Sequence, residues 1–245
     1  MKDANITVLT WARNESYIMP FFLRHYDFAD RIIVYDNGSD DGTQDIVKAH
    51  PKAELRHWDT GGVFDEIEHT RMKESIPAET GPGWKIVVDT DEFVWHPRGM
   101  AAFLDMCTDR YVNMVPTKGF DMVSEFAPED DGKTPLTEIV KEGIWSPRYS
   151  KPVIFKSMLK VRYGHGCHSC SFDNPGCVVA APKGKVFLLH YHWIGRERVR
   201  KRTKWMNDVF DKEQKKMGLG WEAVDVERQI SRFNYIWIHR QKVLP

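Results

Sequence analysis

The stretch Lys85-Ile86-Val87-Val88-Asp89-Thr90-Asp91-Glu92-Phe93 runs an apolar, β-branched segment straight into an Asp-x-Asp pair. An apolar run of this kind reads as a buried strand, and the two carboxylates then stand at its carboxyl end. A hard divalent cation needs oxygen ligands and keeps open positions for phosphate oxygens, so carboxylates placed there suit a nucleotide diphosphate. Asp and Glu also end strands simply as turn residues. The stretches on either side bear on which reading holds.

Upstream, Ile6-Thr7-Val8-Leu9-Thr10-Trp11 is a strand-like run followed by the polar Ala12-Arg13-Asn14-Glu15-Ser16, a loop and helix start, with the helix carrying Phe21, Phe22, Leu23 and Tyr26. Arg31-Ile32-Ile33-Val34-Tyr35 predicts a second strand, ending at the turn-rich acidic loop Asp36-Asn37-Gly38-Ser39-Asp40-Asp41-Gly42-Thr43 before a helix over 44–50. Residues 54–58 suit a third strand, and 64–75 a helix whose basic side places Arg71 near the strand ends. Strand, loop, helix and strand again is the doubly wound α/β pattern: a mostly parallel central sheet with flanking helices. Ligands bind such sheets outside the carboxyl ends of the strands.

Downstream the pattern loosens. Residues 111–116, 152–155 and 185–193 read as strands, 125–137 as an acidic, mobile loop, and 196–216 and the segment holding Val226, Ile230, Phe233, Ile236 and Trp237 as helices of a C-terminal tail. One domain over 1–245 is expected, with a nucleotide-sugar-binding half over 1–98, an acceptor and metal-completing half over 99–194, and C-terminal helices over 195–245.

A chain of 245 residues with 42% hydrophobic content buries a substantial core. Its 35 basic and 35 acidic residues cancel, so no global field favours nucleic acid and an anionic partner must be met by a local cluster. The start is charged and leads directly into a strand, and no apolar run is long enough for a bilayer, which predicts a cytoplasmic or cytoplasmic-face location.

The ordered trio Trp11-Ala12-Arg13-Asn14-Glu15, Asp36-Asn37-Gly38-Ser39-Asp40-Asp41-Gly42-Thr43 and Asp89-Thr90-Asp91-Glu92-Phe93 resembles glycosyltransferase family 2, with its GT-A fold. The resemblance covers the first hundred residues well. Further on, Gly119-Phe120-Asp121, Ser150-Lys151-Pro152 and His190-Tyr191 resemble signatures of a family-2-like branch.

The resemblance implies a sugar transferred from a nucleotide-diphosphate sugar, a UDP-sugar being favoured, to a surface-glycan, lipid-linked or protein acceptor, with inversion and a Mn²⁺ or Mg²⁺ ion. It places Trp11, Arg13, Asn14 and Glu15 beside the nucleotide, although Asn14 also suits a helix cap. Asp36 meets base or ribose, with Arg71 and Thr90 among the donor contacts. Asp89 and Asp91 meet ribose and metal, and His190 completes the metal site. His190 and His192 share one side of a strand because side chains alternate. Imidazole is a competent Mn²⁺ ligand, but a strand histidine also serves as a core residue. Asp40, Asp41 and Gly42 are turn and cap residues. Glu92 is either a support to the site or a cap.

Inversion calls for a base to take the acceptor's proton. Asp121 and His168 are the candidates, because Glu129-Asp130 lies in a solvated acidic loop. Arg148, Lys151 and Lys156 are candidate phosphate or acceptor contacts. The basic run 196–204 suits acidic lipid at a membrane surface or, since Trp205 and Phe210 follow, a solvated helix packed on the domain. Cys167, Cys170 and Cys177, with His165 and His168 among them, form either a zinc-stabilised interaction module or reduced structural thiols. A nucleotide-binding protein lacking turnover is the other alternative. A nucleotidyltransferase fits less well, because residues 11–16 lack the Gly-rich phosphate loop.

Overall fold

The computed structural model describes residues 4–61, 63, 65–164, 167–210 and 225–245. β1 (Ile6–Ala12), β2 (Arg31–Asp36), β3 (Ala53–His57) and β4 (Trp84–Val87) form a parallel layer ordered β3-β2-β1-β4. β1 and β4 are buried along their whole length, which is why they read as near-continuous apolar runs. Val8, Ile32, Val34 and Ile86 face a core shared with α1 (Met19–His25), while Leu9, Trp11, Ile33, Tyr35 and Val87 face a second core with Ile76 and Met72 of α3 (Glu66–Glu79). Side chains that alternate across the sheet therefore meet helices on both faces, as a doubly wound sheet requires. α2 (Thr43–Ala49) joins β2 to β3.

Beyond β4 the sheet changes character. β8 (Pro152–Lys156) pairs antiparallel with β4, and the long β6 (Met114–Ser124) pairs antiparallel with β8 and with β7 (Glu142–Trp145). β6 also runs parallel to β11 (Val186–Ile194), which in turn pairs antiparallel with β5 (Glu92–Trp95). Pro116 sits where the β6–β8 register shifts, a place where its missing N–H removes no regular ladder bond. The β6–β11 register shifts again between His190 and Trp193, a bulge that re-aims the side chains around it. β9 (Val161–Tyr163) and β10 (Cys170–Phe172) form a separate two-stranded ribbon, and β12 (Gln241–Lys242) closes the sheet against β7.

α4 (Met100–Asp109) is a helix that the pattern reading did not anticipate, although Met100, Phe103, Leu104 and Cys107 recur at helical spacing and are buried. α5 is the short Leu136–Ile139. α6 (Arg196–Val209) and α7 (Val226–His239) pack together over Val123 and Trp193. The predicted extension of α6 through 211–216, and the predicted helix start at Phe64, lie outside the described residues. The acidic loop, expected to be mobile, is tied to the N-terminal half: Tyr17 donates to the Pro128 carbonyl at 2.8 Å and Arg24 pairs with Asp130. Among the described residues no helix is long and apolar enough to cross a membrane.

Candidate functional site

β1, β2 and β4 all end on one rim, where Ala12 stands opposite Asp36 in the β1–β2 register. The chain between β4 and β5 turns there through Asp89-Thr90-Asp91. Glu92 N–H donates to the Asp89 carbonyl at 3.0 Å, and Asp89 N–H donates back to Glu92 Oε2 at 3.1 Å. Tyr191 N–H donates to the Asp91 carbonyl at 2.7 Å, tying the turn to β11.

That tie brings Asp91, His190 and His192 together, with one ligand atom from each within 4.8 Å of the others. His190 Nε2 is 3.8 Å and His192 Nδ1 3.7 Å from Asp91 Oδ2, and the two rings lie nearly parallel, 13° apart. Burial alone would raise the Asp91 carboxyl, but His190, His192 and Arg202 hold it well below the usual carboxylate range. Burial opposes a charge on His190, yet the carboxylates of Asp91 and Asp121 raise it above an ordinary histidine. Burial lowers His192. One carboxylate and two imidazoles are a competent set for a first-row divalent ion, and the nitrogen donors suit Mn²⁺ better than Mg²⁺. His192, not assigned as a ligand in the sequence reading, thus joins the group.

Asp89, expected to share the metal, is not in this group. Lys73 of α3, 3% exposed, reaches its carboxylate at 2.5 Å. Burial would raise Asp89, but Lys73 and then Lys151 more than offset it, leaving the carboxyl far below its ordinary value. Arg71, expected near the strand ends, is instead 74% exposed and pairs with Glu68 at 3.6 Å. A helix turns 100° per residue, so a shift of two positions exchanges the solvent side for the sheet side. Glu92 is fully buried and pairs with the equally buried Lys151 at 2.8 Å, bracing the turn from behind. Lys156 lies over the Trp84 ring, away from the rim.

Asp121, a candidate base, accepts a 2.8 Å hydrogen bond from His190 Nδ1 and lies 3.5 Å from Arg232. That contact fixes the His190 tautomer and turns Nε2 toward Asp91, a carboxylate–histidine pairing typical of metal sites. Asp121 is therefore placed to position His190 and is not free to meet an acceptor. His168, the other candidate, stands edge-on to Tyr149, which itself stacks on His190 at 3.7 Å. Its buried Nδ1 has no hydrogen-bond partner. Burial, then Arg148 and Lys151, lower its pKa to about 3, so the ring is neutral.

The first two loops interlock. Asn14, in the left-handed region at φ 54°, takes a hydrogen bond from Asp40 N–H to its Oδ1 at 3.0 Å and donates through Nδ2 to Asp40 Oδ1 at 2.8 Å. It does not cap α1, whose N-cap is Ile18. Asp41 accepts from Ser16 and Thr43 N–H groups, the turn role expected of it. Ser39 N–H and Gln44 Nε2 both donate to Asp36 Oδ2, leaving buried Oδ1 without a partner. Trp11 stacks on Tyr35 at 5.4 Å with its indole N–H unpaired, and Arg13 keeps buried Nε and Nη1 atoms unpaired. Thr90 is buried in the turn. Buried polar atoms are normally satisfied, so this gathering of unpaired donors and acceptors at the ends of β1 and β2 calls for partners from outside the chain, water or a polar ligand.

Glu15 is buried and bonded by Arg202 of α6 at 2.7 Å; burial raises its pKa despite that partner. The basic helix is thus not simply a solvated face. Arg196 pairs with Glu125, Arg200 lies near Glu197 and Glu227, and Arg198 covers the Tyr17 ring at 4.8 Å. Among the described residues Asp91, His190 and His192 are the only metal-competent group, and Cys167, Cys170 and Cys177 form none; His165 lies outside those residues. Burial raises the Cys167 and Cys170 thiols, Cys170 to about 11, so both stay protonated.

No family model matches the chain, and no curated protein does. Solved structures with detectable likeness include a 4-diphosphocytidyl-2C-methyl-D-erythritol synthase, at 14% identity and TM-score 0.33 over 64% of this chain and 76% of that one. Another is the same synthase from Anaerococcus prevotii, at 15% identity and TM-score 0.33 over 62% and 71%. Likeness at that level assigns no activity.

Proposed function

We propose that this chain is a metal-assisted glycosyltransferase that moves a sugar from a nucleotide-diphosphate sugar, a UDP-sugar being favoured, to an acceptor hydroxyl. The convergence of Asp91, His190 and His192 beside the unpaired polar atoms of the strand rim is the observation that carries this reading. These three residues would hold Mn²⁺, and an ion bound there neutralises charge on a departing diphosphate. Asp121 fixes the orientation of His190, and Asp36 offers Oδ1 to a base or ribose donor. Trp11, Arg13 and Thr90 line the donor side, and Lys73 keeps Asp89 ionised beside them. With Asp121 committed to His190, His168, neutral and with Nδ1 unpaired, is the remaining candidate for taking the acceptor's proton.

Protein stability against heat, read with a panel of nucleotide sugars with and without Mn²⁺, tests the reading. Saturating ligand at a hundred times its Kd stabilises by about 2.7 kcal/mol, so a metal-dependent rise is expected for the parent and its loss in Asp91→Asn. No rise with any nucleotide would overturn it. The low basicity of His168 favours a second reading, a protein that binds the donor without turnover. Consumption of the donor in the same mixtures separates the two.

A further inference from the structure

We propose that Arg198 and Arg202 form a clamp for the donor's diphosphate across from the Asp91, His190 and His192 group, so that cation and diphosphate bind as a couple; this rests on the transferase reading above. The strand that carries both histidines leads directly into α6 through Gly195, where a Cβ would meet Ala127 N at 2.6 Å. That tight passage fixes how the helix leaves the sheet. Val199 and Thr203 are its buried anchors, and Arg198 and Arg202, four residues apart, flank them on the side of Glu15 and the His192 carbonyl.

Arg202 is held by Glu15 at 2.7 Å. Arg198 differs from its neighbours: Arg196 and Arg200 have carboxylate partners, whereas no described carboxylate lies within 4.0 Å of Arg198. It donates to the His192 carbonyl at 3.3 Å and lies over Tyr17, which leaves most of its fork for another acceptor.

The charges then balance in a telling way. Glu15 and Asp91 offset Arg198 and Arg202, and Asp121 faces Arg232 at 3.5 Å, with His190 neutral as a metal ligand must be. A divalent cation added alone leaves two uncompensated positive charges in a largely buried rim, which is unfavourable. An anion of about two negative charges restores the balance, and a guanidinium fork matches its phosphate oxygens. A diphosphate bridging metal and arginines has that charge and shape.

Titration calorimetry with Mn²⁺ and inorganic pyrophosphate tests this. In the parent, pyrophosphate is expected to tighten Mn²⁺ binding at least about tenfold, and Mn²⁺ to tighten pyrophosphate equally. Arg198→Gln is expected to weaken pyrophosphate about ten- to a hundredfold with Mn²⁺ present, while Mn²⁺ alone binds as well or better. A merely unfolded variant would lose both. Arg200→Gln, on the same helix, should change neither. Arg202→Gln would leave Glu15 buried and alone, so the double variant Glu15→Gln/Arg202→Gln replaces it, with the same expected loss; unchanged pyrophosphate affinity there removes Arg202 from the clamp. If Arg198→Gln binds pyrophosphate within about twofold of the parent, or Mn²⁺ binds equally well alone, the clamp falls. The transferase reading survives that result if Asp91→Asn still abolishes Mn²⁺ binding. A parent that binds no Mn²⁺ overturns both.

Discussion

His190 Nδ1 donates to Asp121 at 2.8 Å, and this one hydrogen bond decides which ring nitrogen faces Asp91. Replacing Asp121 with Asn keeps the shape but removes the charge that steadies the imidazole, and an amide rotated by 180° would oppose its own N–H to that of His190. Mn²⁺ affinity is expected to fall about ten- to a hundredfold with the fold intact, because supporting carboxylates have effects of that size. Electron paramagnetic resonance of free and bound Mn²⁺ reads this directly, and an unchanged affinity would return Asp121 to the list of candidate bases. At this scale the sequence showed the carboxylates but not their partners. The strand-end position of Asp91 and the shared side of His190 and His192 were legible because strand ends and strand alternation follow from local pattern. The capture of Asp89 by Lys73 was not, since it depends on how α3 is rotated against β4; His69 and Lys73, four apart on one helical face, were the available signal. Arg198 and Arg202 were likewise hidden within a run of closely spaced basic residues.

At the level of elements, β6 is the member on which the site depends most. Its Gly119 lets the turn Pro147–Tyr149 lie directly against the strand, and a Cβ there would meet Tyr149 C at 2.3 Å and Tyr149 O at 2.6 Å. Those are backbone atoms, so no rotamer change relieves the clash. Gly119→Ala is therefore expected to cost about 2–3 kcal/mol in urea unfolding and to weaken Mn²⁺ binding, since Tyr149 stacks on His190. Gly176→Ala, with open space around it, should stay within about 0.5 kcal/mol. A Gly119→Ala protein as stable as the Gly176→Ala protein would show that the turn is not held as described. The parallel strands β1, β2 and β4 were readable because burial on both faces leaves a near-continuous apolar signature, which the half-buried edge strand β3 lacks. The pairing of β5 with β11, and of β11 with β6, was not, because those partners lie far apart in sequence and no local pattern encodes which strand will be the neighbour.

Across the whole molecule, the parallel half and the mixed half share one sheet, and His25 is one of the points that couples α1 to the far half. Its Nε2–H donates to the Val94 carbonyl of β5 at 2.8 Å, and its ring packs 4.8 Å from Phe93. Burial lowers its pKa to about 4, only partly offset by the Val94 bond. In the unfolded chain the same group titrates near 6.5. Between these values the unfolded state binds more protons than the folded one, so stability rises with pH across the window. The contribution is fully present above pH 6.5 and is lost as pH falls toward 4. A shift of that size corresponds to on the order of 3 kcal/mol at most, less where solvent reaches the ring. Other groups titrate in the same range, so the informative quantity is the difference between the parent and His25→Gln, whose amide can still donate to Val94 without ever charging. Urea unfolding at pH 7 and pH 4.5 is expected to show the parent losing about 2 kcal/mol more than the variant. Equal losses would mean that His25 charges in the folded state without penalty, and that the contact between α1 and β5 opens more readily than a packed interface should.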